Sequence, residues 1–328
     1  MNKYSVILPV LNGGEYVKDC VRSVLSQTIN DFNLIVLDNS STDETLPWIE
    51  ELKDDRIVIH KLSQQVSMEE NWARIKTVRR NEYMTIIGHD DLLHPDYLAT
   101  MDQLINRFPD AALYQTHFRY IDAAGELMRH CQPMSEIQDA AGFLDCEMNQ
   151  TLDSMGTGYM MRSDDYDAVG GISPLYPKLI FADYELWMKL MMKSYKATAN
   201  TETFSYRIHN NVSKTVNGEL YQQAFGRYMY FLVELKEKDA SIAATIDKYG
   251  KKMLLYFCES LSHRLLKTAR PDRTTSVRDF ISNCKKYAQL LIPGQPFHPL
   301  RKPRILAALL LDNPPGIKLF NLIKKIKT

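Results

Sequence analysis

Four β-rich runs, Tyr4–Val10, Asn33–Asp38, Arg56–Lys61 and Glu82–Gly88, fall within the first ninety residues, and each is followed by a helix-like pattern. Glu15–Gln27 puts Val17, Cys20, Val21 and Val24 on one helical face. Ser41-Thr42-Asp43-Glu44 offers a capping hydroxyl with acids in the first turn of the next helix. Ser67–Arg80 carries Met68, Trp72, Ile75 and Arg79 along one side, and Pro95–Phe108 reads as the fourth helix. Strands that alternate with helices of this length are joined by crossovers, so the pattern predicts an α/β chain with a mostly parallel, doubly wound sheet. Such sheets collect ligands outside the carboxyl ends of their strands. Three of those ends are polar here: Asn12 after the first, Asp38 after the second, Asp90-Asp91 after the fourth.

The middle of the chain is less regular. Ala112–Tyr120 and Glu126–Cys131 read as a hairpin, Gly158–Arg162 as a short strand, Asp183–Tyr195 as a helix and Thr203–Ile208 as a last strand. From about residue 216 the pattern is entirely helical: Leu220–Glu237, Ile242–Lys267, Val277–Leu291 and two short basic segments. The expected division is therefore an α/β domain over 1–215 and a helical region over 216–328.

Charge and composition exclude several classes. The 328 residues are 45% hydrophobic with zero net charge, so the molecule as a whole is no electrostatic magnet for nucleic acid. The distribution is uneven, however. Residues 301–328 hold seven Lys/Arg against one Asp, leaving the first 300 residues net negative. Five scattered cysteines without a Cys-x-x-Cys pair read as reduced thiols in a cytoplasmic protein. No signal peptide is expected, because Asn12-Gly13-Gly14 breaks the first apolar run, and no run is long enough to span a bilayer.

The first turn lacks the three-glycine spacing of a dinucleotide site, and the chain has neither a P-loop nor zinc-ligand spacing. What remains is the carboxylate pair. Adjacent aspartates repel unless a cation or donor is shared between them. Mg²⁺ or Mn²⁺ would resolve that repulsion, since these ions favour one or two carboxylates plus phosphate oxygens and water. The plainer reading, in which Asp91 or Asp96 caps the helix begun by Pro95, stays open on these residues alone.

Taken together, six segments in order resemble the family 2 glycosyltransferases: SVILPVLNGGEYVKDCVRSVLSQT, NLIVLDNSSTDET, GHDDLLHPDYL, GTGYMMRSDDYDAVGGI, FADYELWMKL and YRIHNNVSKT. The resemblance covers residues 1–215 and implies the GT-A fold, a Rossmann-like, mostly parallel sheet, with a helical C-terminal extension. It further implies inverting transfer from a nucleoside-diphosphate sugar to a saccharide acceptor, in bacterial surface polysaccharide or lipopolysaccharide assembly. Carried over by residue, the main chain of Pro9, Val10 and Leu11, with Glu15, would line the nucleobase pocket. Asp38 would accept the imide N–H of uracil or thymine, which points to a UDP- or dTDP-sugar. Asp90 would face the ribose and the metal, and Asp91 would bind the metal on the diphosphate. His209 resembles a position that reaches the metal or diphosphate in some members, with a structural role left open. Arg207 and Lys214 would counter phosphate charge, and Asp183 matches the general base.

The chain departs from the pattern at Gly88, where the first acid of Asp-x-Asp is missing, at Asn39, which replaces the second acid of the nucleobase turn but keeps an acceptor, and at Ala182 in place of Glu. These departures leave open a rival reading, a non-enzymatic sugar-nucleotide or carbohydrate binder on a degenerate scaffold. Residues 317–327 follow Asn313-Pro314-Pro315-Gly316, read as a hinge, and would form a basic amphipathic helix. That helix would either lie on an anionic membrane surface or pack on its own domain; family acceptors are often lipid-linked at the inner face of the membrane.

Overall fold

The computed structural model describes residues 2–209, 216–268, 271 and 273–327, with side chains as far as Leu322. The first strand, β1 (Tyr4–Val10), is buried throughout because it lies inside the sheet, between β2 (Phe32–Asp38) and β4 (Tyr83–Ile86), and is parallel to both. Between them in sequence run α1 (Gly14–Leu25), α2 (Thr45–Glu51), β3 (Ile57–Lys61) and α3 (Met68–Ala73). Ser67 and Glu70 form a capping box on α3. That helix stops at Ala73 and finishes as a single 3₁₀ turn, well short of the expected Arg80. Beyond β4 come β5 (Leu92–Leu93), α4 (Tyr97–Arg107), β6 (Leu113–Ile121), β7 (Leu127–His130) and β8 (Ile137–Gln138). Next are α5 (Ala140–Asn149), β9 (Met160–Arg162), α6 (Ser163–Ala168), α7 (Ala182–Met191) and β10 (Lys196–Arg207).

The sheet runs β3-β2-β1-β4-β9-β6-β10-β5, with β7 added to β6 and β8 to β10. Its left half is parallel and doubly wound, as expected, whereas β9 enters antiparallel between β4 and β6. The long strand β10, which the sequence pattern cut short at Thr203, pairs in parallel with β6 and antiparallel with β5 and β8. Pairing with β5 ties the Asp90-Asp91 segment to the end of β10.

The chain divides into two compact units, but not at a single point. The α/β unit runs to Ala140 and resumes over Leu152–Leu175 and from Ala182 through β10. The helical unit takes in Ala141–Thr151 and Tyr176–Phe181 as well as the helices beyond residue 216, so a linear boundary near 216 misses two earlier pieces. The helical unit contains α8 (Gly218–Lys238), α9 (Ala240–Lys267), α10 (Val277–Leu291), α11 (Pro303–Leu310) and α12 (Pro314–Lys327). Asn217, Asp239 and Ser276 cap α8, α9 and α10. Phe181 stacks on Tyr228 at 5.2 Å and packs with Phe225 and Phe257, which gives this unit its own aromatic core. The Pro-Pro-Gly segment is not a hinge. Pro314 opens α12, and Asn313 Oδ1 accepts the Gly316 N–H at 2.9 Å.

Candidate active site

At the end of β1, Asn12 turns into the left-handed region (φ 50°), and its Oδ1 accepts the Thr42 N–H at 2.8 Å. Gly13 and Gly14 donate to Thr45 Oγ1 and Asp43 Oδ2, at 2.8 and 3.0 Å. The turns after β1 and β2 are thus stitched together, with the Pro9–Leu11 main chain beside them. Asp38 is 1% exposed at the end of β2, and its carboxylate accepts the Ser41 N–H only at 3.2–3.3 Å, a long and weak bond. Asn39, expected to keep an acceptor for the base, is engaged elsewhere: Val66 bonds both ends of its amide at 2.9 Å. Glu15 is not drawn in. It faces solvent and pairs with Lys18 at 2.6 Å.

The two adjacent aspartates have different environments. Asp91 is 2% exposed; its Oδ1 accepts the Arg207 N–H at 3.0 Å and its Oδ2 the Thr157 hydroxyl at 2.8 Å. Burial, reinforced by the neighbouring Asp90 charge, pushes its pKa well above the usual carboxylate range. A carboxylate with both oxygens committed inside the protein is poorly placed to hold a metal, so the geometry does not support the expectation for Asp91. Asp90 stays partly exposed, and its Oδ2 lies 2.5 Å from His209 Nε2. Tyr16 lies 5.0 Å from the His209 ring, and the Arg207 guanidinium 4.8 Å from the same tyrosine. Arg207 itself is buried, donating to the carbonyls of Asp90, Asp122 and Ala123 at 2.8–3.2 Å, so it braces the strand end instead of offering itself to a phosphate. Lys214 lies outside the described residues.

Gly88 has a steric reason. A Cβ there would stand 2.8 Å from Asp90 Oδ1 and 2.9 Å from Asp91 Oδ2, so this backbone leaves no room for the missing acid. Among the described residues no three His, Cys, Asp or Glu side chains converge as a ready metal cage. Asp90 and His209, in direct contact with each other, are two ligand-type side chains at this strand end.

Asp183 sits in the first turn of α7, not at its cap, and its Oδ1 accepts the Tyr184 N–H at 3.0 Å. The residue is half-buried, but the carboxyl end lies among packed atoms. Burial raises its pKa to about 6, against the opposing pull of backbone N–H groups. The segment Gly156-Thr157-Gly158 links the two acidic positions. A Cβ on Gly156 would stand 3.4 Å from Asp183 Oδ2, Thr157 bonds Asp91, and Gly158 (φ 76°) donates its N–H to the Ile86 carbonyl at 2.9 Å. Three residues therefore bring the α7 start to the end of β4. Nothing local marks Thr157 or Tyr16, because their partners, Asp91 and His209, are distant in the chain.

Residues 5–170 match the family model described as Glycosyl transferase family 2. An uncharacterised glycosyltransferase of Rickettsia conorii is 26% identical over 192 residues, covering 57% of this chain and 31% of that protein. The glycosyltransferase GlyG of Streptococcus pneumoniae is 26% identical over 124 residues, covering 37% of this chain and 41% of its own. Chondroitin synthase of Escherichia coli is 30% identical over 128 residues, covering 38% of this chain and 18% of that enzyme. The chain thus spans well under two thirds of these relatives. A crystal structure of S. aureus TarS 1–349 in complex with UDP-GlcNAc superposes with TM-score 0.68 at 12% identity, covering 99% of this chain and 92% of that one. At that identity the likeness is one of fold.

Proposed function

The chain belongs to glycosyltransferase family 2, and from that premise we propose that it is an inverting transferase moving a sugar from a UDP- or dTDP-sugar to a saccharide hydroxyl. The observation that carries the reading is Asp183: a carboxyl with a pKa near 6, at a helix start, three residues of backbone away from the strand end that bears Asp90. A base is most effective when its pKa lies near the working pH. Asp183 takes the acceptor proton as the hydroxyl oxygen attacks the anomeric carbon. The nucleoside diphosphate departs from the opposite face, and no enzyme nucleophile is involved. Asp38, with only a long bond to Ser41, keeps acceptor capacity for a uracil or thymine N–H. The UDP-GlcNAc held by TarS agrees with a uridine donor. Asp90 and His209 would hold a divalent ion, which when bound would neutralise charge on the leaving diphosphate.

The test is Asp183→Asn. Sugar transfer should fall roughly 10²–10⁴-fold while UDP affinity stays close to that of the parent and the variant remains folded. Transfer within a few-fold of the parent would refute the assignment of the base. Failure of the parent to hydrolyse or transfer from any UDP- or dTDP-sugar, with UDP bound, would favour the non-enzymatic binder.

A further inference from the structure

The helical unit carries a run of exposed leucines among basic residues. Leu300, Leu306, Leu310, Leu319 and Leu322 are 39–67% exposed, five of the thirteen large exposed apolar side chains among the described residues, packed into a stretch of 23. On α11, Lys302, Leu306 and Leu310 follow one another at four-residue steps down the outer side, while Ile305 and Ala308 are buried. On α12, Lys318, Leu319 and Leu322 face out, and Gly316 and Ile317 are buried. Both helices rest on the same part of α9. His263 lies 5.7 Å from the Phe320 ring and bonds the Arg304 carbonyl at 3.1 Å, and Glu259 pairs with Arg304 at 2.8 Å. Their outer stripes therefore both point away from α9.

The charge of this region is one-sided. Residues 285–328 contain nine Lys/Arg and a single acid, Asp312, in a chain whose net charge is zero. Asp312 is not available to offset them, because it is paired with Arg273 and accepts the Val277 N–H at 2.7 Å. Lys285, Arg301 and His298 line a cavity of about 440 Å³ together with Phe297, Pro299 and Leu300, which joins cationic and apolar walls directly ahead of α11.

Leucines interspersed with the cations Lys285, Arg301, Lys302 and Lys318 complement a partner that is anionic at its surface and apolar just beneath. We propose that α11, α12 and the adjoining cavity dock this protein on the surface of an anionic phospholipid bilayer, the leucines entering the interface and Lys285 and Arg301 receiving a lipid phosphate. No helix among the described residues is long and apolar enough to cross a membrane, so the contact is peripheral. An acidic nucleic acid would leave the leucines unmatched.

The full chain is sedimented with vesicles of equal parts phosphatidylglycerol and phosphatidylcholine, and with phosphatidylcholine alone, at low and high salt. Binding is expected to the anionic vesicles only and to weaken with salt. Arg301→Glu with Lys302→Glu should lower it by at least about fivefold per charge removed. Leu310→Ser with Leu319→Ser, exposed positions whose change should leave the melting temperature unaltered, should weaken binding at both salt levels. Binding to neither vesicle by the parent overturns the proposal. So does binding equal in parent and folded variants, or leucine-dependent self-association in sedimentation equilibrium without vesicle binding. UDP affinity, measured alongside, reports on the donor site separately.

Discussion

Asp91 and Asp183 are both carboxyls held in the protein, and burial moves both upward from the ordinary carboxylate pKa. Their partners separate them. Asp91 has one oxygen on a main-chain N–H of β10 and the other on Thr157, so its carboxyl joins the end of one strand to a loop. Asp183 takes one N–H from the residue that follows it, and its other oxygen stands against Gly156. We read Asp91 as architecture and propose Asp183 as the reagent.

The sharpest way to break this contrast is Asp183→Asn, with the loss of transfer given above and no accompanying loss of fold. The pH dependence has the same origin. As a base Asp183 must be unprotonated, so kcat/KM should rise with pH along a limb centred near 6, and that limb should vanish in the Asn variant. The stability effect has the opposite sign. A carboxyl whose folded pKa is raised contributes most below its unfolded pKa, and that contribution is lost as pH rises through about 6. The melting temperature of Asp183→Asn should therefore gain on the parent between pH 4 and pH 7.

For Asp91→Ala the expected signature is the reverse: destabilisation by about 2–5 kcal/mol in urea unfolding, since the Arg207 N–H and Thr157 hydroxyl lose their partners. A variant as stable as the parent would remove the architectural reading. Asp90→Asn sits between the two. Mn²⁺-dependent UDP affinity should fall by at least the roughly 10–100-fold typical of changes one layer further from a metal, with the melting temperature within a degree or two. Unchanged Mn²⁺ dependence would mean that Asp90 and His209 form only a surface pair. The smallest effect belongs to Gly156→Ala, whose Cβ would touch Asp183 Oδ2 at 3.4 Å. A loss of transfer of a few-fold, with donor affinity unchanged, would show that the base needs its free side open.

Local pattern carried much of this molecule. The β1 span, the α1 face and the C-terminal helices were legible because strand and helix periodicity are written in neighbouring residues. The strand ends bearing Asp38 and Asp90 followed from the alternation, and Asp183 became a candidate through the resemblance to the family. Roles that depend on remote partners were not legible. Arg207 reads as a phosphate ligand until its Nε and Nη1 are seen to donate to the Asp90, Asp122 and Ala123 carbonyls. Asn39 reads as an acceptor until Val66 occupies it. Adjacent in sequence, Asp90 and Asp91 were indistinguishable as chemistry. Only the meeting of β10, Thr157 and the end of β4 decided which carboxylate is spent on the fold and which remains partly open. A hydrogen-bonding group's function depends on the partners that tertiary structure has already assigned to it.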